Sequence, residues 1–154
     1  PVMDGEFLVD ERTGVGKGVG GGNIIIQTDN MEHGLAAARR GVQAVAALPD
    51  VITPFPGGVA RSGSKVGSIY KNLPASTSDG FCPTLRGRVE TKLFDGVNCA
   101  YEIVIDGASE AAVGGAMAAA MRATAGEGVL AIGAGNYGGK LGKYHFRLHE
   151  VLAT

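Results

Sequence analysis

Cys99–Lys140 reads CAYEIVIDGASEAAVGGAMAAAMRATAGEGVLAIGAGNYGGK, and the reading of this stretch decides the fold. CAYEIVID is dense in β-branched and aromatic residues and is predicted to be a strand. After the turn signal Asp106-Gly107, Ala112, Val113, Ala116, Met117, Ala120 and Met121 recur at helical spacing. Gly126-Glu127-Gly128 stops that helix, VLAI makes a second strand, and GAGNYGGK is a glycine-rich loop. Glu102 stands out. Side chains alternate along a strand, so Glu102 shares a face with Ala100 and Val104 while Tyr101, Ile103 and Ile105 take the other. A carboxylate within an apolar strand is costly unless it is paired, neutral or used.

Upstream, the same grammar appears a first time. Gly5–Glu11 reads as a short strand, Gly14–Gly22 (GVGKGVGGG) as a flexible connecting loop, and Asn23–Thr28 as a buried strand. Asp29 followed three residues later by Glu32 predicts a capping box. Behind it Met31, Leu35, Ala38, Val42, Val45 and Ala46 mark one helical face, with Arg39 and Arg40 off it. Pro49-Asp50 ends the helix and VIT starts another strand, followed by PFPGG. The polar, glycine-punctuated stretch from Val59 to Gly96 is longer than a plain connection needs, and such segments are usually functional or partly structured. Tyr144–Val151 alternates Tyr144, Phe146 and Leu148 against His145, Arg147 and His149, which predicts a final half-buried strand. Each unit is thus strand, helix, strand and Gly-Gly loop (Gly57-Gly58, Gly138-Gly139). Two such units predict an α+β, ferredoxin-like sandwich built from the split β-α-β motif twice, an antiparallel sheet with two helices on one face. A doubly wound parallel sheet is the alternative, but two helices leave one of its faces bare.

Residues 1–154 fit a single domain. The net charge of −1 gives no electrostatic reason to bind nucleic acid or an acidic membrane surface. No apolar run approaches the roughly 20 residues of a membrane span. The two cysteines, Cys82 and Cys99, lie in no metal-binding spacing and point to a reduced, cytoplasmic setting. Glycine, 26 of 154 residues or about 17%, exceeds the usual level of roughly 7% and marks many tight turns. The chain opens on Pro1 with strand-like sequence almost at once, which reads as a piece of a longer protein.

Several groups carry potential chemistry. Gly16, Gly18 and Gly21 formally make a G-x-G-x-x-G, but a strand rather than a helix follows, so a connecting loop is the better reading. The second such pattern, Gly133 to Gly138, also runs into a strand, and Ala134 stands where a phosphate-binding Walker loop ending at Lys140 needs glycine. It remains a candidate anion-binding nest or a plain turn. His145 and His149 are too far apart along one face to chelate an ion without a third ligand, and no metal site is expected. Ser62-Gly63-Ser64-Lys65 and Ser76-Thr77-Ser78-Asp79 offer hydroxyl groups to a polar ligand or to ordinary turns. If the two Gly-Gly loops emerge at equivalent places, Asn136, Tyr137 and Lys140 can line a cleft with Phe55, Ser64 and Lys65. Glu102 leads the candidates. Apolar neighbours disfavour its charged form, and a carboxyl kept protonated can donate a hydrogen bond to a developing oxyanion. The competing reading pairs it with Lys or Arg on a neighbouring strand.

From Gly5 to Leu152 the chain resembles the C-terminal lobe of formylmethanofuran–tetrahydromethanopterin formyltransferases. The motifs that carry the resemblance are GEFLVDE, GVGGGN, PFPGGVARSGSKVGS, LPASTSDGFCPTL, YEIVIDG and GAGNYGGKLGKYHFRLHEV, in that order. The bacterial form, a subunit of a formyltransferase/hydrolase complex in one-carbon metabolism, is the more similar. The resemblance implies formyl transfer between methanofuran and N5 of tetrahydromethanopterin, both as co-substrates, with no metal or prosthetic group. It implies two ferredoxin-like lobes, homo-oligomers (dimer or tetramer) and substrate clefts at lobe and subunit boundaries. It also implies that Glu102, the family's YEIV glutamate, acts protonated on the formyl oxygen. Gly133 replaces the usual serine, Ser78 the usual asparagine, and Arg61-Ser62-Gly63 varies a small-residue stretch. The competing class is a stand-alone ferredoxin-like ligand-binding or assembly module without turnover.

Overall fold

A computed structural model describes residues 1–61, 79–135 and 143–153 of the chain. Its elements run β1 (Val19–Thr28), α1 (Met31–Ala46), β2 (Val51–Ile52), β3 (Ala60–Arg61), β4 (Cys99–Gly107), α2 (Glu110–Thr124), β5 (Val129–Gly133) and α3 (Leu148–Ala153). The sheet order is β2-β4-β1-β5, with β3 beside β4, and every neighbouring pair is antiparallel. The strands of each β-α-β unit are therefore separated by a strand of the other unit, the interleaving expected of two split β-α-β motifs. A parallel, doubly wound sheet is excluded.

The helices start where side chains satisfy their first amides. Ser109 accepts from Ala112 N–H at 3.2 Å at the start of α2. At α1 the cap is Asn30, whose Oδ1 accepts from His33 N–H at 2.9 Å, rather than the expected Asp29–Glu32 box. Asp29 lies one residue outside and takes the His33 ring instead, at 2.7 Å. The buried face of α1 also differs from the expected one: Gly34, Ala37, Ala38, Gly41 and Val45 point inward, while Met31 and Ala46 are exposed. The cause is close packing against α2. A Cβ on Gly41 would stand 2.6 Å from Thr124 Cγ2 and 2.7 Å from Ile103 Cδ1, so only small residues fit this crossing. On α2 Val113, Ala116, Met117, Ala120 and Met121 are buried as expected, joined by Ala118 and Thr124, while Ala112 is only half-buried.

The sheet is covered on both sides. Ile24, Ile26, Ile103 and Ile105 pack under the two helices with Ala37, Ala38, Val45, Val113 and Met117. Ile25 and Ala100 face the other way and pack with Leu93, Val97 and Phe81. Two polar contacts tie the 79–98 segment to β1, and a third braces the segment internally. Phe94 N–H donates to the buried Gln27 Oε1 at 3.1 Å, Asn98 N–H to the Thr28 carbonyl at 2.9 Å, and Arg86 to the Val97 carbonyl at 2.7 Å. Burial on both faces is why GGGNIII shows no polar alternation.

Three expectations are corrected. Gly5–Glu11 forms no strand: residues 6–10 pair with none of the described residues, and a strand without a neighbouring ladder has no regular bonds to make. Val19–Gly22 belong to β1 rather than to a loop; the strand bulges between Val19 and Gly22, and Gly21 N–H donates to Asp106 Oδ1 at 2.7 Å. Tyr144–Val151 is not a strand. Residues 144–147 are irregular and Leu148–Ala153 is a helix. Leu148 and Val151 follow helical spacing and pack on the core, Arg147 pairs with Glu150 at 3.3 Å, and Arg122 of α2 donates to the Leu152 carbonyl at 2.8 Å. No helix among the described residues is long and apolar enough to cross a membrane.

Candidate active site

The register brings four residues into one row across the sheet: Ala60 on β3, Glu102 on β4, Ile25 on β1 and Gly133 at the end of β5. Adjacent strands lie about 4.8 Å apart, so the row spans about 14 Å with Glu102 inside it. Directly opposed residues share a face, so Glu102 projects with Ile25 and Ala100, on the side away from the helices. It is half-buried. Diagonally across on β1, two residues before Ile25, stands Asn23.

Asn23, on β1, links β4 to the segment that follows β5. Its Nδ2 donates to Glu102 Oε1 at 2.5 Å, and its Oδ1 accepts from the backbone N–H of Gly135, just beyond β5, at 3.2 Å. The amide orientation follows from its partners, since the loop offers a donor and the carboxyl an acceptor. Oε1 of Glu102 is thereby engaged as an acceptor. Sequence reasoning singled out Glu102 but not Asn23. The same signal was available: an amide in front of three isoleucines must find partners or use.

The remaining expected ligand residues are distributed as follows. Phe55 is 46% exposed and opens the turn Pro56–Gly58 that leads into β3. A Cβ added at Gly58 would stand 2.6 Å from Val42 Cγ1, so the end of that turn lies against α1. Gly57 and Gly58 adopt φ of 66° and 73°, the left-handed turn geometry that glycine tolerates. Ser64, Lys65, Ser76, Thr77, Asn136, Tyr137 and Lys140 lie outside the described residues, as does the Gly138-Gly139 loop.

Other reactive groups lie elsewhere. The hydrogen bond to Asp29 raises the pKa of His33 above its ordinary 6.5, with the nearby charges of Asp29, Glu127 and Glu32 adding to it and desolvation opposing. Burial pushes the Cys99 thiol up, partly offset by its hydrogen bond with Thr28, which leaves it a poor nucleophile. Cys82 is half-buried with Thr84 Oγ1 3.2 Å from its sulfur. His145 and His149 are both exposed, His149 on α3 and His145 before it. Among the described residues no group of three or more His, Cys, Asp or Glu is arranged to hold a metal ion.

Residues 5–151 match the family described as FTR, proximal lobe, and the chain belongs to it. Its curated relatives are named formylmethanofuran–tetrahydromethanopterin formyltransferase. The protein of Methylococcus capsulatus is 53% identical over 157 residues, covering 99% of this chain and 53% of the relative. That of Methanocaldococcus jannaschii is 50% identical over 156 residues, covering 98% and 52%. Among solved structures, the formyltransferase of Methanosarcina barkeri superposes with a TM-score of 0.82 at 46% identity, over 98% of this chain and 52% of that one. The formyltransferase/hydrolase complex of Methylorubrum extorquens with methylofuran matches with a TM-score of 0.76 at 44% identity, over 86% and 44%. The chain spans about half the length of the curated relatives it matches.

Proposed function

We propose that the chain is one lobe, the C-terminal one, of a two-lobed formyltransferase. The whole enzyme moves a formyl group between formylmethanofuran and N5 of tetrahydromethanopterin. In the forward sense the N5 lone pair attacks the formyl carbon and the carbonyl electrons move to oxygen. The carbon–nitrogen bond to methanofuran then breaks, and the proton lost from N5 ends on the leaving amine. Glu102 is the catalytic residue: in its acid form it donates a hydrogen bond to the formyl oxygen as negative charge develops there. Phe55, Ser64, Lys65, Ser76, Thr77, Asn136, Tyr137 and Lys140 line the substrate cleft, and no metal or prosthetic group takes part. The protein works in the cytoplasm as a homo-oligomer, alongside other subunits of a formyltransferase/hydrolase complex.

The observation that carries this reading is the position of Glu102. The sheet holds it half-buried on the face away from the helices, in the same row as the entrance to the glycine-rich loop, with its carboxyl fixed by Asn23. The relatives' names supply the substrates. Formyl transfer assayed with the full-length protein and with this chain alone is the test. Turnover by the two-lobed protein and none by the single lobe is the expected result; a full-length protein that transfers no formyl group would overturn the reading.

A further inference from the structure

We propose that Asn23 is the positioning residue for Glu102: its side-chain amide sets the orientation of the carboxyl and ties it to the backbone of the glycine-rich loop. This rests on the formyltransferase reading above. Asn23 is only 6% exposed, and both ends of its amide are used, Nδ2 on Glu102 Oε1 and Oδ1 on Gly135 N–H. A buried amide is tolerated only when bonded, and this one stands in a strand whose next three residues are isoleucine. Capping the Gly135 amide alone would require only an acceptor. The donor end is spent on the one carboxyl in this row of the sheet, whose three side-chain torsions it restrains. The loop and the carboxyl are coupled as a result: a ligand that shifts Gly135 shifts Asn23 Oδ1, and with it the group that faces the formyl oxygen.

The test uses the full-length two-lobed enzyme carrying Asn23→Ala, Asn23→Asp, Glu102→Gln, or Glu102→Gln with either change at 23. Asn23→Ala should lower kcat by about 10²-fold, the scale of a misplacement near 1 Å, with KM little changed. Joined to Glu102→Gln it should lower kcat no further than Glu102→Gln alone, because a residue that acts through another has no separate contribution. Asn23→Asp keeps the shape and the acceptor for Gly135 but sets a second carboxyl against Glu102. The two then share a proton, and the pH profile of kcat should move to higher pH, a shift that a purely structural role would not produce. If Asn23→Ala fails to fold, Asn23→Asp and its double variant carry the same test. Parental kcat in Asn23→Ala, multiplied losses in the double variants, or an unmoved pH profile in Asn23→Asp overturns the proposal while leaving Glu102 catalytic. Near-parental kcat in Glu102→Gln overturns the underlying reading instead.

Discussion

Alanine in place of Gly41 should destabilise the fold, whereas alanine in place of Gly115 should stabilise it. Both glycines sit inside helices, but their surroundings differ. At Gly41 the new methyl would stand 2.6 Å from Thr124 Cγ2 and 2.7 Å from Ile103 Cδ1. That is about 1 Å inside the favourable carbon–carbon separation. Thr124 and Ile103 are both at 0% exposure, so neither can swing outward. Overpacking of this kind costs about 1–3 kcal/mol. The gain from replacing a helical glycine returns about 1 kcal/mol, leaving a net loss near 1 kcal/mol. At Gly115 nothing among the described residues lies within 4 Å of the added carbon, so the propensity gain stands alone. The two variants should therefore differ by about 2 kcal/mol, which at this size is about 4–8 °C in Tm. Urea unfolding followed by circular dichroism reads the same difference as opposite shifts of midpoint at a common slope. Equal stabilisation of both variants would refute the reasoning, because it would mean that α1 and α2 do not approach closely at Gly41.

His33 gives a pH signature. Asp29 raises its pKa above 6.5, so the stabilisation is complete below the unfolded value near 6.5 and is lost as pH rises through the higher folded value. The Tm deficit of Asp29→Asn should accordingly shrink between weakly acidic and alkaline buffer, and a deficit that is flat or grows with pH would count against the pair. Phe7, Leu8 and Val9 are exposed at 76%, 82% and 78%, on a chain that is 45% hydrophobic. Self-association is the expected consequence; sedimentation equilibrium at micromolar concentration should show an oligomer, and a clean monomer would contradict it.

The two β-α-β units were legible because each carried a local signal: an apolar run, a periodic face and a stop, Pro49-Asp50 in the first and Gly126-Glu127-Gly128 in the second. What failed was read from patterns too short to exclude a second period. YHFRLHEV alternates like a strand through His149, yet Leu148 and Val151 also satisfy helical spacing, and contact with α2 decides between them. Gly5–Glu11 has strand composition but no ladder to join among the described residues, so propensity alone could not make it a strand. The α1 face was misjudged because large apolar residues were weighted over small ones, whereas a close helix crossing selects Gly34, Ala37 and Gly41. Glu102 stands out in the sequence because a carboxyl in an apolar strand is conspicuous. Asn23 passed unnoticed because its role appears only when the register sets β1 diagonally against Glu102 and places Gly135 at its other end.

The measurement that bears most directly on the function is kcat for formyl transfer by the full-length enzyme with Glu102→Gln. Glutamine preserves the length of the side chain and can still accept from Asn23 Nδ2, so the sheet and the loop contact should survive, as an unchanged Tm would verify. It replaces the carboxyl proposed to act on the formyl oxygen, and a fall in kcat of about 10²–10³-fold, the scale for losing one oxyanion donor, is the expected result. Turnover close to that of the parent enzyme would contradict the assignment of Glu102 as the catalytic residue.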